Sequence, residues 1–259
     1  MGRRLNPETL IRREPASLIR ELAGRIALRA EAAVRDHGAF YLTLSGGESP
    51  RPLYEALAHQ SEPKVPWGQV DVFWNDERMV PPGHPESNFG LAEKTLLSRV
   101  PLARGHIHRI LGESAEPMDA ALAYEHELHD HFPADKFGEV PTTFDLLLLG
   151  IGPDGHTASL FPGDSGSIET GRWVTPVPVA GEAPFVPRVS LTISAFNRAR
   201  AAYFLVTGAA KSGIVRRVVE EHGSATAALP AARVEPLGEL VYFLDGPAAS
   251  ELPKSSGAN

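Results

Sequence analysis

A run of almost uninterrupted apolar sequence at residues 144–149, Phe-Asp-Leu-Leu-Leu-Leu, constrains the fold most strongly. A short run of this kind is typical of a central strand in a parallel sheet, where both faces are buried. Further β-rich segments alternate along the chain with segments that have helical apolar periodicity. We predict strands at residues 39–44, 70–74, 144–149, 188–193, 201–206 and 240–244, and helices at residues 15–37, 88–97, 117–131 and 209–221. The alternation predicts an α/β fold with a mainly parallel sheet.

The 259 residues fit one α/β domain, and no linker or repeat divides them. We therefore expect a single domain with its core at about residues 10–246 and loose tails at residues 1–9 and 247–259. Because the chain has no cysteine, disulfides, thiolate metal sites and cysteine nucleophiles are excluded.

The charge balance and hydropathy exclude several classes of partner. A net charge of −7 provides no general positive field for nucleic acid. No apolar stretch approaches the roughly 20 residues of a membrane span, and no apolar segment follows the basic start as in a secretory signal. We expect a soluble, cytoplasmic protein, a monomer or weak homo-oligomer, with neither nucleic acid nor a membrane as partner.

We expect functional residues directly after the strands, because an open parallel sheet binds ligands at the carboxyl ends of its strands. Ser45-Gly46-Gly47 follows one strand, with Ser49 as the predicted N-cap and Pro50 as the first residue of the next helix. Such a glycine loop at a helix N-terminus suits an anion such as phosphate. A plain strand-to-helix turn is the alternative, and Glu48 would have to point away from the anion.

A second polar group, Asn75-Asp76-Glu77-Arg78, ends the strand at residues 70–74. An arginine beside two acids is often only a solvated ion pair. Its place at the end of a strand is the alternative argument, since functional residues are found there.

The buried run at residues 144–149 leads into Gly150-Ile-Gly152-Pro-Asp154-Gly155-His156. This segment matches the G-x-G-x-x-G fingerprint of dinucleotide sites, but Pro153 removes an amide donor and Asp154 places negative charge where a pyrophosphate would lie. A histidine in a rigid turn at this edge is better suited to general acid–base chemistry, since its pKa lies near neutrality. A purely structural histidine is the alternative.

Arg188 and Lys211 open a late strand and a late helix, and would add the positive charge that an anionic ligand needs. Each could equally be an ordinary surface cation.

Several metal-binding side chains cluster in the helix at residues 117–131. They are Glu125, His126, His129, Asp130 and His131. We favour a solvated helix face over a chelate, and we predict no catalytic metal and no cofactor.

Taken in order, these motifs make the sequence similar to the 6-phosphogluconolactonase family. The resemblance spans about residues 10–245 and rests on the runs at residues 44–50, 76–81, 87–88, 150–162 and 187–192 and on Lys211. It implies the sugar-phosphate isomerase/deaminase fold, an α/β doubly wound, mainly parallel sheet with a smaller appended lobe. It also implies hydrolysis of 6-phospho-D-glucono-1,5-lactone to 6-phospho-D-gluconate in the oxidative pentose phosphate pathway.

The resemblance further implies roles for individual residues. His156 would be the general base and acid, Arg78 would face the developing oxyanion, and Asp76 and Asp154 would orient Arg78 and His156. The expected phosphate-binding residues are Ser45, Gly46, Gly47, Arg188 and Lys211.

Three rival functions remain open. A sugar-phosphate deaminase or isomerase of the same fold is the closest, but deaminases are expected to carry a glutamate where this chain has Phe161, and Asp-Glu-Tyr where it has Asp76-Glu77-Arg78. A non-catalytic sugar-phosphate sensor usually has an extra domain. A nicotinamide oxidoreductase is disfavoured by Pro153 and Asp154.

Overall fold

The computed structural model describes residues 7–59, 63–132, 143–164, 171–179, 184–224 and 227–253. Its centre is a seven-stranded sheet of β1 (Glu8–Arg12), β2 (Phe40–Leu44), β3 (Val70–Trp74), β5 (Ile107–His108), β6 (Leu146–Leu149), β9 (Ala201–Val206) and β10 (Glu239–Asp245). In space these strands follow the order β1-β10-β9-β6-β2-β3-β5, and all their pairings are parallel.

Burial explains why these segments form the sheet interior. Every residue of β3, β6 and β9 is buried, as expected where helices and loops cover both faces. The prediction of a central strand at residues 144–149 is confirmed, with β6 beginning two residues later at Leu146.

The helices are α1 (Pro15–His37), α2 (Arg51–His59), α3 (Asn88–Thr95), α4 (Pro117–His131), α5 (Ile193–Phe196) and α6 (Ser212–Glu221). Proline opens α1, and Gly38 ends it in the left-handed conformation at φ +89°. That backbone conformation suits glycine, which has no Cβ. Helix α2 begins at Arg51, one residue after the predicted start, and Pro50 accepts the hydrogen bond from the Tyr54 N–H. No helix among the described residues is long and apolar enough to cross a membrane.

A second, three-stranded antiparallel sheet forms the smaller appended part of the fold. It has the order β4-β8-β7 and comprises β4 (Asp76–Arg78), β7 (Val174–Val177) and β8 (Arg188–Leu191). Helix α4 packs against β7 and β8. The strand predicted at residues 188–193 therefore belongs to this sheet and not to the parallel one. The sequence pattern did not predict β4, because a strand of three residues is too short to show an alternation of apolar and polar side chains.

The chain ends differ from the predicted loose tails wherever they are described. Glu8 and Thr9 belong to β1, which pairs with β10 along its whole length. At the other end Ala248 is fully buried, and the Ser212 hydroxyl donates to Glu251 at 2.6 Å. Strand pairing and burial thus extend the ordered core beyond residues 10–246.

The direction of chain winding reverses beside β2. From β2 the chain adds β3 and β5 toward one edge, and it then returns to add β6, β9 and β10 toward the other. The carboxyl ends of β2 and β6 therefore flank the switch point, where open parallel sheets bind their ligands.

Candidate active site

A cleft with a cavity volume of about 210 Å³ lies at this switch point. The structure brings eight of the nine sequence-predicted residues to its wall: Ser45, Gly46, Gly47, Asp76, Arg78, His156, Arg188 and Lys211. The ninth, Asp154, is hydrogen-bonded to His156. Segments far apart in sequence thus converge on one concave surface, and the roles of these residues remain predictions.

The loop after β2 is shaped by close packing. A Cβ on Gly46 would lie 1.7 Å from Asn88 Oδ1, so only glycine fits there, and Gly47 has φ +82°. The Ser45 N–H donates to the Tyr54 hydroxyl at 2.9 Å, and that hydroxyl donates to the Ser45 carbonyl at 2.6 Å. Any contact of Ser45 with an anion must therefore come from its hydroxyl, which here donates to the Leu148 carbonyl. The main chain of Gly46 and Gly47 is the better candidate cradle.

Glu48 points away from this loop, as an anion at the cleft requires. Its carboxylate is exposed and accepts two hydrogen bonds of 2.9 Å from the Arg51 guanidinium.

The loop after β6 fixes His156 in a tight turn. The Gly152 N–H donates to the His156 carbonyl at 2.8 Å, and Gly155 has φ +89°. A Cβ on Gly152 would lie 1.9 Å from the His156 ring, so the imidazole packs directly on the glycine backbone. Within residues 150–164 no helix follows β6, which removes the helix N-terminus that a dinucleotide site needs.

Asp154 orients the imidazole. The distance from its Oδ1 to His156 Nδ1 is 2.6 Å, and the same oxygen accepts the His156 N–H at 3.0 Å. Burial by itself raises the pKa of Asp154, but the His156 N–H and imidazole favour the carboxylate more, so the pKa lies below its usual value. An ionised Asp154 holds the proton of the neutral imidazole on Nδ1 and leaves the lone pair on Nε2.

Glu77 is a site residue that the sequence pattern did not single out. Its buried carboxylate accepts N–H groups from Arg78, Asn88 and Phe89, each at 2.8 Å, and the Ser87 hydroxyl at 3.0 Å. Burial raises its pKa to about 7, although these four donors favour the charged form. Glu77 therefore fastens the two ends of the loop that carries Arg78. The sequence gives little sign that Glu77, which stands between two other charged residues, is buried and bonded to main-chain N–H groups.

Asp76 does not orient Arg78 as predicted. Its carboxylate accepts the Ser159 hydroxyl at 2.6 Å and the Asn88 amide at 3.3 Å. Arg78 donates instead to the Glu86 carbonyl at 2.9 Å, and the Glu86 carboxylate lies 3.7 Å away. Asp76 and Arg78 lie on the same face of β4. The Asp76 carboxylate is nevertheless held by Ser159 and Asn88, and the chain after β4 brings the Glu86 carbonyl to the Arg78 guanidinium.

Arg188 is almost completely buried, with 1% of its surface exposed. It contacts the Ser159 hydroxyl at 3.5 Å and the Pro184 carbonyl at 3.2 Å, and it stacks 5.5 Å from the Phe161 ring centre. It is also the register partner of Arg78 across β4 and β8. On the other side of the cleft, Lys211 Nζ donates to the Ile151 carbonyl at 2.9 Å.

Phe161 occupies the position expected to hold a glutamate in deaminases. Its ring centre lies 4.8 Å from that of His156. The side chain at this position is therefore apolar and cannot relay a proton.

Asn75 and Asn88 are two further buried residues at the cleft that were not assigned a role. The Asn75 amide donates to the carbonyls of Leu44 and Leu148 at 3.0 and 2.5 Å, so it ties the ends of β2 and β6 together. The Asn88 amide donates to the Asp76 carbonyl at 2.8 Å. Asn75 could have been recognised from the sequence, because it is a polar residue directly after a strand.

The metal-binding side chains of α4 do not form one face. The His126 imidazole lies 3.7 Å from Asp130 in solvent, whereas His129 packs on Trp173 with ring centres 4.4 Å apart. Glu125 accepts the Trp173 N–H at 2.6 Å, and His131 turns toward the sheet. The predicted solvated face holds for His126, His129 and Asp130, which are exposed, whereas Glu125 and His131 are half-buried.

Comparison with known proteins places this geometry in a family. A family model described as glucosamine-6-phosphate isomerases/6-phosphogluconolactonase matches residues 13–242. The chain belongs to this family. It is 38% identical to a 6-phosphogluconolactonase of Synechocystis, with 88% of this chain and 90% of that protein covered. It is 39% identical to the 6-phosphogluconolactonase of Rattus norvegicus, with 91% and 90% covered.

The solved structures of the glucosamine-6-phosphate isomerase/6-phosphogluconolactonase family share this fold. The 6-phosphogluconolactonase of Trypanosoma brucei superposes with a TM-score of 0.82 at 29% identity, covering 96% of this chain and 99% of that one. A monomeric glucosamine-6-phosphate deaminase superposes at 0.76 with 19% identity, which shows the common fold alone. The resemblance inferred from the sequence motifs and the doubly wound fold class are confirmed.

Proposed function

We propose that this protein is a 6-phosphogluconolactonase, which hydrolyses 6-phospho-D-glucono-1,5-lactone to 6-phospho-D-gluconate in the oxidative pentose phosphate pathway. The observation that carries the proposal is the convergence of His156 and Arg78 on one cleft with the glycine loop, Arg188 and Lys211. The similarity to proteins named 6-phosphogluconolactonase supports the same reaction.

The phosphate of the substrate binds among Gly46, Gly47, Arg188 and Lys211. Main-chain amides and charged donors together recognise a phosphate well, and the Ser45 hydroxyl can join them by turning from the Leu148 carbonyl. Because the phosphate is remote from the ester, its binding energy serves to position the lactone ring for attack.

Hydrolysis then needs one base and one oxyanion partner. His156 Nε2 takes a proton from a water molecule, whose oxygen attacks the lactone carbonyl carbon and forms a tetrahedral oxyanion facing Arg78. As the oxyanion collapses, the bond between this carbon and the ring oxygen breaks, and the ring oxygen takes the proton back from the imidazolium. Asp154 stabilises that imidazolium through Nδ1.

The apolar position of Phe161 favours the lactonase over a deaminase. A deaminase of this fold is expected to relay the proton through a glutamate five residues after the histidine, and here Phe161 occupies that position, with its ring centre 4.8 Å from that of the imidazole. Lactone hydrolysis needs only a base that regains its proton, which the Asp154–His156 pair provides.

The proposal is tested by following freshly generated 6-phosphogluconolactone with and without the protein, so that spontaneous hydrolysis is subtracted. The wild type should accelerate its consumption, and His156→Ala should lower kcat by about 10²–10⁴ with an unchanged circular dichroism spectrum. Near-normal turnover by His156→Ala would remove this residue from the mechanism, and no acceleration by the wild type would overturn the function.

We also propose that the protein acts in the cytoplasm with neither nucleic acid nor a membrane as partner. The net charge of −7 supports the absence of nucleic acid as a partner. Action as a monomer or weak homo-oligomer in the cytoplasm is testable by sedimentation and by fractionation.

A further inference from the structure

A group of titratable side chains lies away from the cleft, where the C-terminus of α4 meets the edge of the seven-stranded sheet. Asp71 comes from β3, His108 from the edge strand β5, and His131 is the last residue of α4. One ligand atom from each of the three lies within 4.8 Å of the others. None of the three lines the described cleft.

His108 is held as a metal-binding imidazole commonly is. Its Nδ1 lies 2.8 Å from a carboxylate oxygen of Glu127, and its Nε2 lies 3.0 Å from Asp71 Oδ1. A carboxylate on the far nitrogen fixes the tautomer and the ring direction of a histidine ligand. The ring also stacks on Phe73, with centres 4.5 Å apart, so its direction is set by packing as well.

His131 brings a second imidazole to the same place. Its ring packs edge-on against Tyr41 and Phe73, each with ring centres 5.2 Å apart, and its centre is 4.8 Å from that of His108. Within the described residues it makes no hydrogen bond.

We propose that Asp71, His108 and His131 bind one divalent transition-metal ion, preferentially zinc, that fastens α4 to the edge of the sheet. Two imidazoles and one carboxylate form a donor set that suits zinc. Bonds of about 2.0–2.1 Å in a tetrahedral site separate neighbouring ligand atoms by about 3.3 Å. Asp71 and His108 already stand 3.0 Å apart, so closure requires mainly an approach of His131.

The fourth coordination position of the zinc ion faces His106 or solvent. His106 Nδ1 lies 2.9 Å from the same Asp71 oxygen, and its side chain is 41% exposed. Zinc takes the place of the proton shared between His108 Nε2 and Asp71, and that proton leaves to solvent. The site is structural, because it lies apart from the cleft where the ester is hydrolysed.

The experiment titrates chelator-treated full-length protein with zinc in competition with a chromophoric chelator, and repeats the titration with cobalt. The wild type should bind one equivalent and give the visible spectrum of tetrahedral cobalt. His131→Phe keeps an aromatic ring but removes the donor, and should weaken zinc binding more than 100-fold. Glu127→Gln, which removes only the orienting carboxylate, should weaken it about 10-fold.

His126→Ala is the matched control, because His126 is an exposed histidine on the same helix, and it should bind zinc as the wild type does. Zinc should also raise the Tm of the wild type and of His126→Ala, but not that of His131→Phe. Equal affinity in the wild type and in His131→Phe would mean an adventitious ion only, and no binding by the wild type would equally overturn the proposal. If His131→Phe fails to fold, unchanged affinity in Glu127→Gln contradicts it.

Discussion

The two ends of the parallel sheet use charge in different ways. At the amino ends of the strands, a groove of about 470 Å³ holds charged groups that pair with one another. Asp145 contacts His37 at 3.0 Å and Arg200 at 3.2 Å, and Arg29 is bonded to Glu239. Each cation there has a carboxylate beside it.

At the carboxyl ends, the cleft cations contact main-chain oxygens. Arg78, Arg188 and Lys211 donate to the carbonyls of Glu86, Pro184 and Ile151, respectively. The Glu86 carboxylate also lies 3.7 Å from Arg78. The amino-end groove therefore consists of ion pairs within the fold, which indicates a role in stability. At the carboxyl end, three cations line one concave surface, and such a cleft suits an anion.

The largest expected effect lies at the amino end, where pairing should matter for stability and not for turnover. The buried Asp145 carboxylate also accepts the Tyr41 N–H at 2.9 Å, so Asp145→Ala leaves several groups unpaired. We expect the free energy of unfolding in urea to fall by about 3 kcal/mol, with kcat of the folded variant unchanged.

Asp36→Ala is the matched control for Asp145→Ala. Asp36 lies 3.9 Å from Arg200, but its side chain is 70% exposed, so its removal should change stability by less than about 0.5 kcal/mol. A loss of turnover in folded Asp145→Ala would contradict the inference that the amino-end groove contributes to stability and not to catalysis.

The next effect concerns the cleft, where geometry should matter for turnover more than for stability. In Gly152→Ala the added methyl must displace the His156 ring, which would otherwise lie 1.9 Å away. A misplaced base is expected to lower kcat by about 10². Gly150→Ala is the control in the same loop, because its methyl meets no atom within 4 Å. Equal turnover in the two variants would show that the position of the imidazole is not critical.

A third effect follows from the raised pKa of Glu77, which is about 7 in the folded protein against an ordinary value of 4.5. Between these pH values the folded state keeps a proton that the unfolded chain has lost. The free energy of unfolding should therefore decrease as the pH rises, by about 2 kcal/mol between pH 5 and 7. Urea titrations at several pH values measure this.

Glu77→Gln cannot ionise, so its stability should lack this component of the pH dependence. If wild type and Glu77→Gln show the same slope between pH 5 and 7, the carboxylate titrates alike in both states. The four donors around it would then offset the effect of burial on its pKa.

Strand and helix positions were predictable where periodicity and burial agree. Helix α1 has the predicted bounds, and β3 and β9 do as well, because each has a strong apolar pattern and clear end signals. Strand β1 was missed because only one of its five residues is buried, and its order comes from backbone pairing with β10. Such pairing leaves little trace in side-chain polarity.

The members of the cleft were predictable, but only some of their contacts were. His156 and Arg78 stood out because each follows a strand, and the carboxyl ends of parallel strands share one edge. The partner of Asp154 was also predictable, since a two-residue spacing in a glycine turn permits few others. Asp76 was assigned to the wrong partner because its carboxylate binds the hydroxyl of Ser159, which lies 83 residues away in sequence. A sequence pattern does not show such a distant contact.

The smallest expected effect concerns Lys211, and it tests whether a cation of the cleft binds the substrate phosphate. Lys211→Ala removes one charged donor, so kcat/KM for the phosphorylated lactone should fall about 10-fold. Turnover of unphosphorylated glucono-1,5-lactone should change little, because that substrate has no group for the ammonium to bind. Lys94→Ala, an exposed lysine on α3, should leave both rates unchanged. Equal losses on both substrates would place Lys211 at the ester or in the fold, and the anion would then be held by Arg188 and the glycine loop.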